Sequence, residues 1–176
     1  MDRSRMSVAH ATMNDVDTTT PSLALHPFTV EDAERLLSGE VDPHDGWAGG
    51  YSFTDEPELL REFVRAVRMS GDPAPFGPYL VRLPDEGAAI GGVNLFGPLS
   101  DDGEIEFAFG LVPAARGRGL AEIVVGEALA LVRANGGLVA TAEAEIANLP
   151  ARRVLERVGM GERSRTSESI TYAIRF

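Results

Sequence analysis

The chain has 176 residues, 44% of them hydrophobic, and a formal net charge of −11. That length suits one domain with one hydrophobic core; no apolar run approaches the roughly 18 residues of a membrane helix, and the absence of cysteine removes disulfides, thiolate metal sites and a cysteine acyl-enzyme. An acidic chain repels nucleic-acid phosphates and favours cationic partners, although the same charge also serves plain solubility.

Met1 to Ser22 is polar and unpatterned and reads as a disordered tail, leaving 23–176 as a single folded domain. No secretory apolar segment is visible near the start, so the expected location is the cytoplasm, as a monomer or homodimer. Leu23 to Phe28 reads as a short strand. Thr29 is placed as a helix N-cap, followed by Glu31, Asp32 and Glu34 in the first turn, and Gly39 ends that helix. Residues 40–54 read as a long loop holding Trp47, the only tryptophan, and Tyr51. Aromatic residues on such a loop are either contacts for a small substrate or a plug over the core.

A second helix is predicted from Pro57 to Met69, where Leu59, Leu60, Phe63, Val64 and Val67 keep the helical period. Tyr79–Leu83, Ala88–Phe96 and Glu104–Leu111 read as strands joined by short turns, which predicts an antiparallel meander. Gly136 and Gly137 end the next helix, and a strand follows from Leu138 to Ala144. That strand–helix–strand order predicts a parallel pair. A short helix starts at Asn148 and Pro150 and stops at Gly159; two strands, Gly161–Arg165 and Ser169–Phe176, close the chain. The order is α+β: a mixed, mostly antiparallel sheet of six to seven strands with helices on both faces.

The most informative stretch joins the Glu104 strand to the following helix through Arg116-Gly117-Arg118-Gly119-Leu120-Ala121. On that helix, Leu120, Ile123, Val124, Leu131 and Val132 lie near one predicted face. A helix opened by glycines leaves its first N–H groups unpaired, which makes an anion site. Arg116 and Arg118 add charge that a phosphate can use, so a diphosphate-bearing ligand fits the turn. The chain contains no lysine, which excludes a Walker loop, and Glu122 stands where a dinucleotide fingerprint needs its third glycine. A carboxylate there would face the pyrophosphate. The three histidines, His10, His26 and His44, are too few for a histidine metal cluster, and His44 beside Asp42 and Asp45 reads more readily as a solvated acidic loop than as a weak metal site, so no metal is expected.

Arg116, Gly119 and Ala121 fill the pattern Arg/Gln-x-x-Gly-x-Gly/Ala, and Glu106 with Phe109 to Pro113 matches a Glu-Ile-Gly-Tyr-x-Leu-x-Pro run. A second block runs from Asn148 to Met160. In these features the chain resembles the GNAT superfamily of N-acetyltransferases. The second block is similar to the branch that acetylates ribosomal-protein N-termini. The resemblance implies acetyl-CoA as co-substrate, held by Arg116, Gly117, Arg118, Gly119, Leu120 and Ala121. It further implies backbone N–H groups near Leu111 as oxyanion donors, the Val112 N–H and the carbonyls beside it as contacts to the pantetheine arm, and Asn148 beside the arm or thioester. Asn148 also suits a helix N-cap.

Acetyl transfer needs a base, a reachable thioester and a stabilised oxyanion. Glu106 matches the family's glutamate on the strand before the turn and is the candidate base, with Glu104 two residues away on the same face. The acceptor would be an amine, either a protein N-terminus or a small molecule; the acidic chain would suit a cationic one, and Trp47 and Tyr51 are its candidate contacts. Leu155 stands where many relatives carry a thiolate-protonating tyrosine, and Ala151 where the ribosomal-protein branch often has serine. That departure leaves open a rival reading, a weakly catalytic or non-catalytic acyl-CoA-binding domain. A glycine turn of purely structural use is the third.

Overall fold

The structure, a computed structural model, describes residues 23–40, 52–83 and 89–176. The loop positions Trp47 and Tyr51 and the tail 1–22 lie outside the described residues. One sheet of seven strands organises the chain, in the order β1-β2-β3-β4-β5-β7-β6. The strands are β1 (Ala24–Pro27), β2 (Gly77–Arg82), β3 (Ala89–Phe96), β4 (Glu104–Leu111), β5 (Val139–Glu145), β6 (Gly161–Arg165) and β7 (Ser169–Arg175). All neighbours are antiparallel except β4 and β5. The expected mixed, mostly antiparallel α+β sheet is therefore what the chain forms.

Helices α1 (Val30–Ser38), α2 (Ser52–Asp55) and α3 (Pro57–Ser70) precede β2; α4 (Leu120–Ala134) and α5 (Leu149–Arg157) flank β5. The short α2 replaces the end of the expected loop. α1 begins as its sequence dictates: Thr29 Oγ1 accepts from the Asp32 N–H at 3.1 Å, while Asp32 Oδ2 accepts from the Thr29 N–H at 2.8 Å. This reciprocal capping box closes two of the N–H groups a helix start leaves open.

Strand alternation splits the core into two layers. Val81, Val93, Leu95, Ile105 and Phe107 pack on α4, and Leu155 of α5 joins them. On the other side Leu80 meets Phe28, Ala33 of α1, and Leu60 and Val64 of α3. On α4 the buried stripe is Leu120, Val124, Val125, Ala128, Leu129 and Val132. Ile123 and Leu131, expected on the core face, are only half-buried. Most of this helix is apolar all round, so its period alone does not single out one face.

The meander β2–β3–β4 is held close at Gly91. Gly91 lies opposite Leu111, and a Cβ there would sit 2.2 Å from the Gly110 carbonyl oxygen and 2.8 Å from Leu111 Cα. Both obstacles are backbone, so a side chain has to push β4 aside at its C-terminal end. Gly91→Ala is expected to destabilise the protein by about 1–3 kcal/mol, the usual cost of overpacking, read as a lower urea midpoint with an unchanged slope.

Candidate functional site

β4 and β5 pair over three residues only: Glu104 with Val139, Ile105 with Ala140 and Glu106 with Thr141. Beyond that point β4 continues alongside β3 as far as Leu111, and β5 alongside β7 as far as Glu145. The two halves of the sheet therefore part after Glu106, and β4 has an open edge inside the molecule. The direction of its backbone groups follows from one bond. The Val112 N–H donates to the Ile90 carbonyl at 2.9 Å, continuing the β3–β4 register. N–H and C=O groups alternate along a strand, so the even-numbered residues of β4 address β3. Phe109 and Leu111 address the gap, where no strand pairs with them among the described residues.

A cleft of about 660 Å³ opens there between β4, the start of α4 and the face of α5. Of the residues expected to hold the cofactor, Leu111, Arg116, Gly117, Gly119, Leu120, Ala121 and Asn148 line it. Val112 and Arg118 do not. Val112 is buried in the core, and its N–H is committed to Ile90, so it does not offer the pantetheine contact assigned to it. Arg118 lies between two glycines in left-handed conformation, Gly117 at φ 75° and Gly119 at φ 74°, and its side chain is exposed outside the cleft wall. Arg116 folds back instead: its Nε donates to the Leu111 carbonyl at 2.9 Å, which ties the turn to the end of β4.

The N-terminus of α4 receives no side-chain cap. That contrasts with Thr29 on α1 and with Asn148 on α5, whose Oδ1 accepts from the Ala151 N–H at 3.2 Å. The first-turn N–H groups of α4 thus remain available beside the cleft, with the positive end of the helix dipole behind them. Asn148 performs its expected capping and lines the cleft as well. An anionic, elongated ligand with a polar arm matches these features: uncapped donors and Arg116 for the anion, and an open strand edge for the arm.

A second cavity of about 250 Å³ fills the gap between the parted strands. It shares Phe109, Asn148 and Ala151 with the cleft and adds Glu143 and Glu145 of β5. The register places Glu106, Glu143 and Glu145 on one face of the sheet, all exposed. Glu106 sits at the last paired position, where the strands begin to part. Glu104, expected to act on it, is instead paired with Arg163 of β6 at 2.6 Å.

Sequence reasoning missed Phe109, Arg153 and Arg157 as wall residues. The two arginines are four apart on α5, a spacing that puts them on one helix face; nothing local says which face. Leu155, at the position where relatives carry the tyrosine, is fully buried, and Val154 takes the cleft side. Among the described residues no group of three or more His, Asp or Glu stands together as metal ligands, and no helix is long and apolar enough to cross a membrane.

The sequence profile described as an acetyltransferase (GNAT) domain matches residues 22–161. No curated protein matches the chain by sequence. Solved structures share the fold. A chimera of spermidine N-acetyltransferase SpeG from Vibrio cholerae and hSSAT has a TM-score of 0.65 at 16% identity, covering 87% of this chain and 95% of its own. RimJ of Mycobacterium smegmatis in complex with CoA-disulfide has a TM-score of 0.62 at 16% identity, covering 87% and 81%. A GNAT-family acetyltransferase from Bacillus anthracis has a TM-score of 0.61 at 17% identity, covering 87% and 94%.

The conformation of the turn is testable without any ligand. A Cβ on Gly119 meets no atom within 4 Å, so the cost of Gly119→Ala is purely the left-handed backbone, about 1–2 kcal/mol. Gly126, inside α4, also faces open space, and Gly126→Ala should stabilise by about 0.5–1 kcal/mol. Denaturant titration of the two variants checks these opposite signs.

Proposed function

Because the chain belongs to the GNAT acetyltransferase family, we propose that it transfers the acetyl group of acetyl-CoA directly to an amine in a ternary complex. The observation that supports this most is the parting of β4 and β5, which joins the uncapped α4 turn on one side to an acidic face on the other. The diphosphate of acetyl-CoA takes the N–H groups from Gly119 to Ala121 together with Arg116. The pantetheine arm lies along the open edge of β4, with the Leu111 N–H as its contact. The thioester then reaches the gap near Phe109.

This arrangement narrows the oxyanion role to one strand position. Leu111 is five residues from Glu106, about 17 Å along a strand, whereas Phe109 is three residues away, about 10 Å. The Phe109 N–H faces the gap too and is the better-placed donor to the tetrahedral oxyanion. Glu106 takes a proton from the acceptor ammonium, directly or through water. The freed nitrogen forms the C–N bond at the thioester carbonyl, and the C–S bond breaks. The second proton passes from nitrogen through water to the departing thiolate. With Leu155 buried, α5 supplies no acid at that position, and a thiolate leaves without one.

Glu143 and Glu145 beside the gap favour a cationic acceptor, and Trp47 and Tyr51, outside the described residues, remain its candidate aromatic contacts on the sequence reading. A polyamine such as spermidine and a basic protein N-terminus both carry that charge. The Asn148–Met160 block inclines the reading toward the ribosomal-protein branch. The second reading, a weakly catalytic acyl-CoA-binding domain, is favoured by the missing tyrosine. Release of CoA thiol across a panel of amines separates the two.

Glu106→Gln keeps shape and removes the base. At neutral pH kcat should fall about 10²–10⁴-fold while acetyl-CoA affinity by calorimetry stays unchanged; undiminished turnover would place the base elsewhere. Glu143→Gln and Glu145→Gln should each raise the KM for a polyamine by about two- to fivefold, the range of an exposed charge pair. That increase should shrink at high salt and be absent for a singly charged amine.

A further inference from the structure

Glu122 poses a conflict inside the cleft. It stands in the first turn of α4, where a carboxylate complements the helix dipole. It also lines the space assigned above to a diphosphate, and two anions there repel each other. The structure supplies an answer from another helix. Arg157 Nη1 of α5 lies 2.6 Å from Glu122 Oε1, and both side chains line the cleft. Arg153, one turn earlier on α5, lines the same wall and makes no side-chain hydrogen bond or ion pair among the described residues.

We propose that Arg157 is a screening residue: it neutralises Glu122 so that the cleft, left with the charge of Arg116 and Arg153 and the α4 dipole, admits an anionic acyl donor. The proposal rests on the acetyl-CoA reading above. Its logic is electrostatic. Unpaired, Glu122 would cancel one of the two remaining arginines and offset the helix N-terminus, the two sources of anion affinity at this spot. Paired, it contributes little field, and α5 is fastened to α4 at the same time. Arg157 therefore acts on the ligand through Glu122 rather than by contact.

A double-mutant cycle tests this with acetyl-CoA as titrant and calorimetry as readout. Both side chains are partly exposed, at 67% for Arg157 and 35% for Glu122, so the variants keep the fold, and a melting curve on each verifies it. Arg157→Gln should weaken acetyl-CoA binding about tenfold. Glu122→Gln should bind as well as the unaltered protein or better. The double variant should recover to within about threefold of it. S-acetyl-pantetheine, which lacks the diphosphate, should bind all four proteins alike. Equal weakness of Arg157→Gln and the double variant would overturn the proposal, since Arg157 would then touch the ligand itself. Full affinity in Arg157→Gln would overturn it as well. A failure of the unaltered protein to bind acetyl-CoA would instead overturn the parent reading, and this inference with it.

Discussion

The site depends on where the ladder between β4 and β5 stops. Each strand keeps its outer partner to the end, β3 for β4 and β7 for β5, so the sheet opens from inside after the Glu106–Thr141 pair. An interior strand edge is normally a liability, because unpaired backbone groups shut away from water are costly. Here the edge faces a cleft, and Phe109 and Leu111 hold their N–H groups toward it. A ligand arm with amide groups can complete the interrupted ladder as an added strand would. The gap also makes a passage between the α4 side of the sheet and the opposite face.

The two sides of that passage carry opposite charge preferences. On the α4 side stand an uncapped helix start, Arg116, Arg153 and the neutralised Glu122–Arg157 pair. On the other stand Glu143 and Glu145, with Glu106 on the same exposed face at the last paired position, outside the cavity lining. In the proposed reaction an anionic donor and a cationic acceptor would thereby approach one opening from different directions. The separation matters physically, since each partner would weaken the other's site if both charges lay together. Helix capping takes part in the same division. Side chains satisfy the starts of α1 and α5, whereas α3 and α4 begin without a side-chain cap, and of these two only the start of α4 borders the cleft.

Much of the frame was legible because its signals are local. Thr29 and Asp32 form the capping box that their spacing announces, and the connection lengths predicted both the meander and the parallel β4–β5 pair. The glycine turn, Asn148 and Leu111 were readable for the same reason: a helix start, a cap and a strand end are written in a few consecutive residues. The expected helix face of α4 was partly misplaced, since an almost uniformly apolar helix carries no directional pattern.

What the amino-acid order determined, then, was the list of elements apart from the short α2, their sequence and the glycine turn that opens α4, each set by contacts within a few residues. Tertiary structure decided the rest. Val112 left the site because its N–H belongs to Ile90, a partner 22 positions earlier on the neighbouring strand. Arg118, between two left-handed glycines, is exposed and does not line the cleft. Phe109 entered because strand parity is read only against a known neighbour, and Arg157 because its partner Glu122 is 35 residues away. Hydrogen-bond direction and long-range charge pairing are properties of strands and helices already packed together, and no local spacing encodes them.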